Sequence, residues 1–252
     1  MVITKGIISA LSIGAGEAMN HSIERAIDCL QNGRFVLLYD SDDRERETDM
    51  VIASEFVTPA AIRTMRKDAG GLICTTATHD ISVKLGLPFL ADVLSEAGRV
   101  FPVLERLCPN DIPYDTKSAF SITINHRKTF TGITDIDRAM TTSEFARLAK
   151  RSSATADEEA QKDFGLHFRS PGHVHLLRAS AQLLTKRRGH TELSTALLSM
   201  SRLTQTATIC EMMGDDGNAL SKDRAKDYAM SHDLCFLEGS EVIAAWQARE
   251  GP

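Results

Sequence analysis

Phe35-Val36-Leu37-Leu38-Tyr39 and Met50-Val51-Ile52-Ala53 are two apolar runs separated by ten residues, and they decide the fold class. Unbroken apolar runs of this length are typical of strands that are buried on both faces of a sheet. Thr58-Pro59 predicts a helix over residues 60–69, because threonine is a good N-cap and proline suits the first helical position. Gly70-Gly71 ends that helix before another apolar strand, so the first part of the chain alternates helix and strand.

The rest of the chain continues this alternation. The period-two pattern of Phe120-Ser121-Ile122-Thr123-Ile124 predicts a strand, and further strands are predicted at residues 207–211 and 234–237. Further helices are predicted over residues 143–150, from a cap at Thr191 through Leu203, over residues 223–231, and after a cap at Ser240. We therefore predict an α/β (α+β) fold, a single three-layer α/β/α domain around a mixed twisted sheet, over residues 1–252. Within it, residues 1–19 are expected to be an N-terminal extension. Residues 151–163, which are polar and lack a periodic apolar face, are expected to be a mobile surface segment.

Composition restricts the possible partners. The 252 residues are 42% hydrophobic and 25% charged, as in ordinary soluble globular proteins. Acidic residues outnumber basic ones, 34 to 29, and a net charge of -5 argues against nucleic acid or an anionic membrane as partner. No segment approaches the ~20 apolar residues of a membrane span. Five scattered cysteines without a C-x-x-C pair favour reduced thiols and a cytoplasmic location.

Residues 40–49, here called the acidic connector, join the first two predicted strands. Eight of these ten residues are charged, so we expect the connector to lie outside the core. One interpretation is a solvated hairpin loop. The other is that its carboxylates bind Mg²⁺, which needs only one or two protein carboxylates besides water and substrate oxygens.

A basic segment, residues 186–192, leads into a predicted helix. Its arginines, its glycine and the free backbone N–H groups of a helix N-terminus together suit an anion such as phosphate. The alternative is a basic turn in which Thr191 serves only as a cap.

Two further residues are candidates for proton transfer. Pro171-Gly172 predicts a turn that presents His173 at its exit, and histidine titrates near neutral pH. Glu211 ends a buried strand, where sites in α/β sheets tend to gather. Each has a plain alternative, because a lone histidine beside a turn is usually structural and Glu211 could be a surface charge.

Taken together, these segments resemble the 3,4-dihydroxy-2-butanone 4-phosphate synthase family over roughly residues 20–248. The resemblance rests on several motifs in the family's order and approximate spacing. These are Arg44-Glu45-Arg46-Glu47-Thr48-Asp49, Ser54-Glu55-Phe56-Val57-Thr58-Pro59, Thr131-Gly132-Ile133 with Asp137-Arg138, Pro171-Gly172-His173-Val174, Arg188-Gly189-His190-Thr191-Glu192 and Ile209-Cys210-Glu211.

The resemblance implies a carbon–carbon lyase of riboflavin biosynthesis with the three-layer fold predicted above. Such an enzyme converts D-ribulose 5-phosphate to L-3,4-dihydroxy-2-butanone 4-phosphate and formate through a metal-stabilised enediol. It is a homodimer with active sites near the interface, and it uses Mg²⁺, with Mn²⁺ as a substitute and two ions per site.

The resemblance also implies residue roles. Glu45 and His190 would be the protein ligands of the metal pair, and Arg44 and Asp49 would contact the sugar phosphate. His173 and Glu211 would be the catalytic residues, with Asp49 as a further candidate base. The substrate-binding set comprises Arg44, Glu45, Asp49, Arg187, Arg188, Gly189, His190, Thr191 and Glu211.

This chain departs from common family patterns at Arg46, Thr48 and His175, and none of these positions is a presumed catalytic group. A runner-up function is another metal-assisted sugar-phosphate isomerase or aldol-type lyase, since the same chemistry serves any enediol-forming reaction. A non-catalytic nucleotide- or RNA-binding protein of related fold is the alternative from a different class, and the acidic connector and net charge argue against it. Cys74 has two interpretations, a position near the substrate or a small buried apolar role.

Overall fold

Seven strands form one sheet in the part of the chain that the computed structural model describes, residues 21–109 and 111–250. The predicted N-terminal extension, residues 1–19, lies outside the described residues. The strands are β1 (Val36–Tyr39), β2 (Thr48–Ala53), β3 (Cys74–Ala77), β4 (Phe120–His126), β5 (Phe168–Arg178), β6 (Ala207–Glu211) and β7 (Cys235–Glu238).

Helices connect most of these strands. They are α1 (residues 21–31), α2 (Pro59–Thr64), α3 (His79–Lys84), α4 (Leu90–Ala97), α5 (Asp135–Ser152), α6 (Asp157–His167), α7 (His190–Met200), α8 (Lys222–Ser231) and α9 (Gly239–Glu250). No helix in these described ranges is both long and apolar enough to cross a membrane.

The sheet is mixed, as the sequence predicts. Its order is β4-β5-β3-β6-β2-β1-β7. The pairs β1–β7 and β3–β5 are parallel, whereas β1–β2, β2–β6, β3–β6 and β4–β5 are antiparallel. In the β2–β6 register, Asp49 lies opposite Glu211.

Alternation along β2 sends side chains into two cores, one on each face of the sheet. Met50 and Ile52 are buried in a cluster that includes residues of α2 and α8. Val51 and Ala53 are buried in a cluster that includes residues of α1, α7 and α9. The sheet is therefore covered on both faces, which confirms the predicted α/β/α layers.

The helix predicted after Thr58-Pro59 is confirmed, and its start follows from local chemistry. The Thr58 hydroxyl accepts a hydrogen bond from the Ala61 backbone N–H at 3.2 Å, and Pro59 occupies the first turn. The helix continues as a wider π-helical turn over Met65–Ala69 and ends at Gly70, whose φ of 90° is left-handed.

Residues 151–163 differ from expectation. Helix α5 runs to Ser152, and α6 begins at Asp157, so most of the expected surface segment is helical. Ala160 is 1% exposed and joins a third apolar cluster with Phe145 and Phe168. Ala160 and Phe164, which packs against the same cluster, hold this helix, and two apolar residues give no periodic pattern in the sequence.

Three other local predictions are wrong. Ser240 is not the cap of α9, because this helix already begins at Gly239. Pro171-Gly172 is not a turn between elements, because it lies inside β5. Ile124 of β4 pairs with Val174 and the next residue, Asn125, pairs with Arg169, so residues 170–173 form a bulge in β5. Thr191 is not the cap of α7, since the helix begins at His190 after Gly189 and ends at Met200 rather than Leu203. The glycine fills the capping position because two arginine side chains pack against it, as described below.

Candidate active site

The acidic connector is the loop of the β1–β2 hairpin, and its ends are buried. Asp40 is 3% exposed, and its carboxylate accepts hydrogen bonds from the backbone N–H groups of Glu45 at 2.9 Å and Glu47 at 3.2 Å. Thr48 and Asp49 belong to β2 and are also buried. The expectation that all of residues 40–49 lie outside the core is therefore wrong at both ends, because Asp40 satisfies the loop's own backbone donors.

The basic segment meets this loop at the N-terminus of α7. His190 Nδ1 lies 3.0 Å from Glu45 Oε2, and His190 Nε2 lies 3.2 Å from the Glu47 carbonyl oxygen. Asp40, Glu45 and His190 each offer a ligand atom, and these atoms lie within 4.8 Å of one another. The structure thus brings together the two residues expected to bind metal, although 145 positions separate them in the chain.

Carboxylates dominate the electrostatics around His190. Burial lowers the pKa of its imidazole, but Asp49, Glu45 and Asp40 outweigh burial and raise it to about 10. Burial raises the pKa of Asp49 to about 8, with further increases from Glu211, Glu45 and Glu47 against the lowering effect of His190. Asp49 Oδ1 is buried without a hydrogen-bond partner in the described structure. A site with so many acidic groups and one unsatisfied carboxylate oxygen fits a cation.

Two arginines lie beside this cluster. Arg44 Nη1 lies 2.9 Å from Glu45 Oε1, and Arg187 Nη1 donates to Glu192 Oε2 at 2.5 Å. Both arginines pack over Gly189, where an added Cβ would lie 2.8 Å from Arg44 Cζ. Glycine at this position therefore allows the guanidinium groups to approach the start of α7.

A cavity of about 290 Å³ opens in front of the cluster. Six residues of the predicted site line it: Glu45, Asp49, Arg187, His190, Thr191 and Glu211. Its other walls include Cys74, Tyr114 and Phe120. Cys74 is both buried and beside the cavity, so its position agrees with a small apolar role and with a place near the substrate. Burial raises the pKa of its thiol. Arg188 is exposed and does not line the cavity among the described residues.

Glu211 ends β6 at the mouth of this cavity. Its carboxylate oxygen Oε2 accepts a hydrogen bond from the Leu72 backbone N–H at 2.7 Å, and its own carbonyl accepts from Gly71 N–H at 3.0 Å. The register of β2 and β6 places it opposite Asp49. The two expected catalytic carboxylates therefore face the same space from adjacent strands.

His173 lies elsewhere on the surface. It is exposed on the irregular part of β5, where its Nδ1 lies 3.1 Å from Asn125 Nδ2 and its backbone N–H donates to Asn125 Oδ1 at 2.9 Å. Gly172 beside it packs so closely on the Ile124 backbone that a Cβ would overlap it. His173 is not among the described residues that line the cavity of its own chain.

Sequence reasoning assigned no role to Asp115 or Glu192 beside the arginines or to Asn125 beside His173, and it included Asp40 only among the connector carboxylates that could bind Mg²⁺. Glu192 is 0% exposed and accepts a hydrogen bond from the Ser180 backbone N–H as well as from Arg187. Its place in the first turn of α7, five residues after Arg187, was a usable signal, since a glutamate buried there needs a cationic partner. Asp115 and Asn125 offered no such signal, because their partners come from distant segments.

Comparison with known proteins places the chain in a family. The family model described as 3,4-dihydroxy-2-butanone 4-phosphate synthase matches residues 24–245. The enzyme of that name from Methanothermobacter thermautotrophicus is 51% identical over 225 residues, which cover 89% of this chain and 95% of the relative. The one from Methanosarcina acetivorans is 44% identical over 235 residues, or 92% of this chain and 94% of the relative.

Solved structures agree. A 3,4-dihydroxy-2-butanone 4-phosphate synthase in a cation-free form matches with a TM-score of 0.70 and 26% identity, over 91% of this chain and 98% of the other. A structure of such an enzyme in complex with two magnesium ions matches with a TM-score of 0.69, 26% identity and the same coverage. On the strength of the family match and these identities, the chain belongs to the 3,4-dihydroxy-2-butanone 4-phosphate synthase family.

Proposed function

We propose that this chain converts D-ribulose 5-phosphate to L-3,4-dihydroxy-2-butanone 4-phosphate and formate, as a carbon–carbon lyase of riboflavin biosynthesis. The observation that carries the proposal is the 3.0 Å approach of His190 Nδ1 to Glu45 Oε2, beside a cavity that Arg187 lines and with Arg44 next to Glu45. The carboxylate and imidazole offer ligands for a divalent cation, and the arginines offer charge-assisted hydrogen bonds to a phosphate.

The donor set suits magnesium, with manganese as a substitute. Glu45 and His190 would bind the metal, and Asp40 is close enough to contribute a carboxylate oxygen. We propose two ions per site, in line with the related structure that holds two magnesium ions. When bound, Mg²⁺ would stabilise the negative charge that develops on the substrate oxygens.

The chain's own residues would move the protons. Asp49 lines the cavity, and its pKa of about 8 lies near the working pH, where a carboxylate can both take and return a proton. We assign it the removal of the proton next to the ketone, which gives the enediol. Glu211 would then accept and donate protons in the later stages. In these stages one water is eliminated, the carbon skeleton rearranges, and one water is added as C4 is released as formate. The five carbons of the substrate are thus divided between a four-carbon phosphate and formate.

His173 would complete the site across a homodimer interface. It is exposed, and it contacts the Asn125 side chain, which also donates a hydrogen bond to the Thr131 carbonyl in the neighbouring loop. The same loop leaves Phe130 94% exposed, and Ile136, which follows it, is 64% exposed. Apolar side chains exposed together are typical of a protein contact surface. We therefore propose a cytoplasmic homodimer in which His173 of one subunit serves the cavity of the other.

Formate release tests the proposal. Pure protein is incubated with ribulose 5-phosphate, then with EDTA, then with Mg²⁺ in excess, and formate is measured with a coupled dehydrogenase. We expect formate in the first and third conditions and none in the second. The absence of formate from folded protein with every divalent metal tried would overturn the assignment.

A further inference from the structure

Asp115 joins the two arginines at the edge of the cavity. Its Oδ2 oxygen accepts a hydrogen bond from Arg44 Nη2 at 2.7 Å and another from Arg187 Nε at 2.7 Å. Only 12% of the Asp115 side chain is exposed, and Oδ1 accepts from the Thr116 backbone N–H at 2.8 Å. One carboxylate oxygen therefore lies between two guanidinium groups that belong to distant segments of the chain.

These arginines have other acidic partners. Arg44 Nη1 lies 2.9 Å from Glu45 Oε1 and 3.5 Å from Asp40 Oδ2, while Arg187 Nη1 donates to Glu192 at 2.5 Å. With Asp115, four carboxylates surround two guanidinium groups. A phosphate that approached this arrangement would meet net negative charge, and the Arg44 and Arg187 donors that face Asp115 are already bonded to it. Binding of a phosphate here therefore requires that one carboxylate leave.

Asp115 is the carboxylate best placed to leave. Glu192 is fully buried in α7 and also accepts from the Ser180 backbone, and Asp40 holds two backbone N–H groups of the connector. Glu45 is one of the proposed metal ligands. Asp115 lies instead on residues 111–119, which carry no helix or strand. Apart from Asp115, this segment is held by Lys117, which pairs with Asp92 and lies 4.2 Å from the Phe89 ring, and by Tyr114, whose ring lies 5.4 Å from Arg44. The side chains of Lys117 and Asp92 are 41% and 61% exposed, and such surface ion pairs are weak.

We propose that the Asp115 carboxylate occupies the position of the substrate's phosphate group in the substrate-free chain, and that a phosphate group, free or esterified, displaces it where a singly charged anion does not. This inference rests on the proposed function, and it names a residue that determines specificity for that function. A phosphate carries about 1.5 to 2 negative charges and three strong acceptor oxygens, so it can bond both arginines at once and replace the single shared oxygen of Asp115. A singly charged anion with one free oxygen would only replace the hydrogen bonds that Asp115 already makes, so its binding in place of Asp115 is not favoured.

The substitution Asp115→Asn tests the proposal, because it keeps the shape of the side chain and removes its charge. Inorganic phosphate is titrated by calorimetry into the full-length protein with EDTA present. We expect the variant to bind phosphate on the order of tenfold more tightly than the unsubstituted chain, since no competing charge has to leave. Asp115→Glu, which restores the charge, should bind phosphate as weakly as the unsubstituted chain.

Asp92→Asn is the matched control. It removes a carboxylate that holds the same segment through Lys117 but touches neither arginine, so phosphate affinity should change less than about twofold. Unchanged phosphate affinity in Asp115→Asn would overturn the proposal, and so would weaker binding, which would mean that Asp115 holds the arginines in place for the ligand. The thermal transition of each variant, with and without phosphate, verifies that folded protein is compared.

The titration does not depend on turnover, so it separates this inference from the proposed function. If the unsubstituted chain forms no formate but Asp115→Asn binds phosphate more tightly, the lyase assignment fails and the displacement stands. If formate is formed, the KM for ribulose 5-phosphate should fall in Asp115→Asn, and an increased KM would contradict the displacement.

Discussion

The substitution Gly71→Ala should displace Glu211, the carboxylate to which we assign proton transfer. A Cβ added at Gly71 would lie 2.6 Å from the Glu211 carbonyl oxygen and 2.8 Å from the Glu211 Cβ, and it would overlap the carboxylate oxygen Oε2. Real Cβ atoms do not approach so closely, and all three neighbours belong to Glu211 of β6, whose carbonyl oxygen and Cβ move only with the strand. The strand or the Gly71 turn therefore has to move.

The cost follows from these contacts. Overpacking against a fixed strand costs about 1–3 kcal/mol, and weakening the bond from Leu72 N–H to Glu211 costs about 1 kcal/mol because this bond is partly exposed to solvent. We expect a loss of stability of about 2–4 kcal/mol, which lowers the Tm of a chain of this size by roughly 4–16 °C. Since the carboxylate also moves, kcat should fall on the order of 10²-fold.

Gly165→Ala is the matched control for this experiment. Gly165 lies in α6 with no atom within 4 Å of an added Cβ. Alanine is the better helix former, so this variant should gain about 0.5–1 kcal/mol. Differential scanning calorimetry and formate release at saturating substrate measure both effects. Equal Tm and equal kcat in Gly71→Ala and the unsubstituted chain would refute the close packing on Glu211.

Three further predictions concern the proposed metal ligands and the proposed acid–base residues. Glu45→Gln should weaken the Mg²⁺ dependence of formate release sharply, and an unchanged metal titration would exclude Glu45 as a ligand. His173→Ala should lower kcat on the order of 10²-fold or more at an unchanged Tm, and near-normal turnover would assign proton transfer to another residue. Mg²⁺ affinity should rise as the pH rises from 7 to 9, because the proton on His190, whose pKa is raised to about 10, must leave before its nitrogen can bind metal. Calorimetric Mg²⁺ titrations across this range test the third prediction, and a flat profile would contradict it.

The sequence predicted the buried elements well. The apolar runs that became β1 and β2 are fully buried, and the capped start of α2 is where Thr58-Pro59 predicts it. These predictions rest on short-range rules, since strand burial and helix capping depend on neighbouring residues. The resemblance also paired Glu45 with His190, and no local rule could have joined segments so far apart in the chain.

The predictions that were wrong have a common cause, because contacts between residues far apart in the chain determine the structure at these positions. Helix α6 is polar enough to resemble a loop, and it is held by the burial of Ala160 and the packing of Phe164 against the same cluster. The Pro171-Gly172 pair is typical of a turn, but close packing of Gly172 on β4 keeps it within a strand. Asp115 has no neighbouring motif, and its position follows from two arginines elsewhere in the chain.

The register between β2 and β6 has a consequence for insertions and deletions. Asp49 points to the same face as Val51, and Thr48 points to the face of Met50, because neighbouring side chains alternate. Loss of one residue within β2 would turn the carboxylate into the opposite core and bring a hydroxyl to the substrate. Insertion or loss of a single residue in this strand should therefore disrupt the site, even where the replacement sequence is equally apolar.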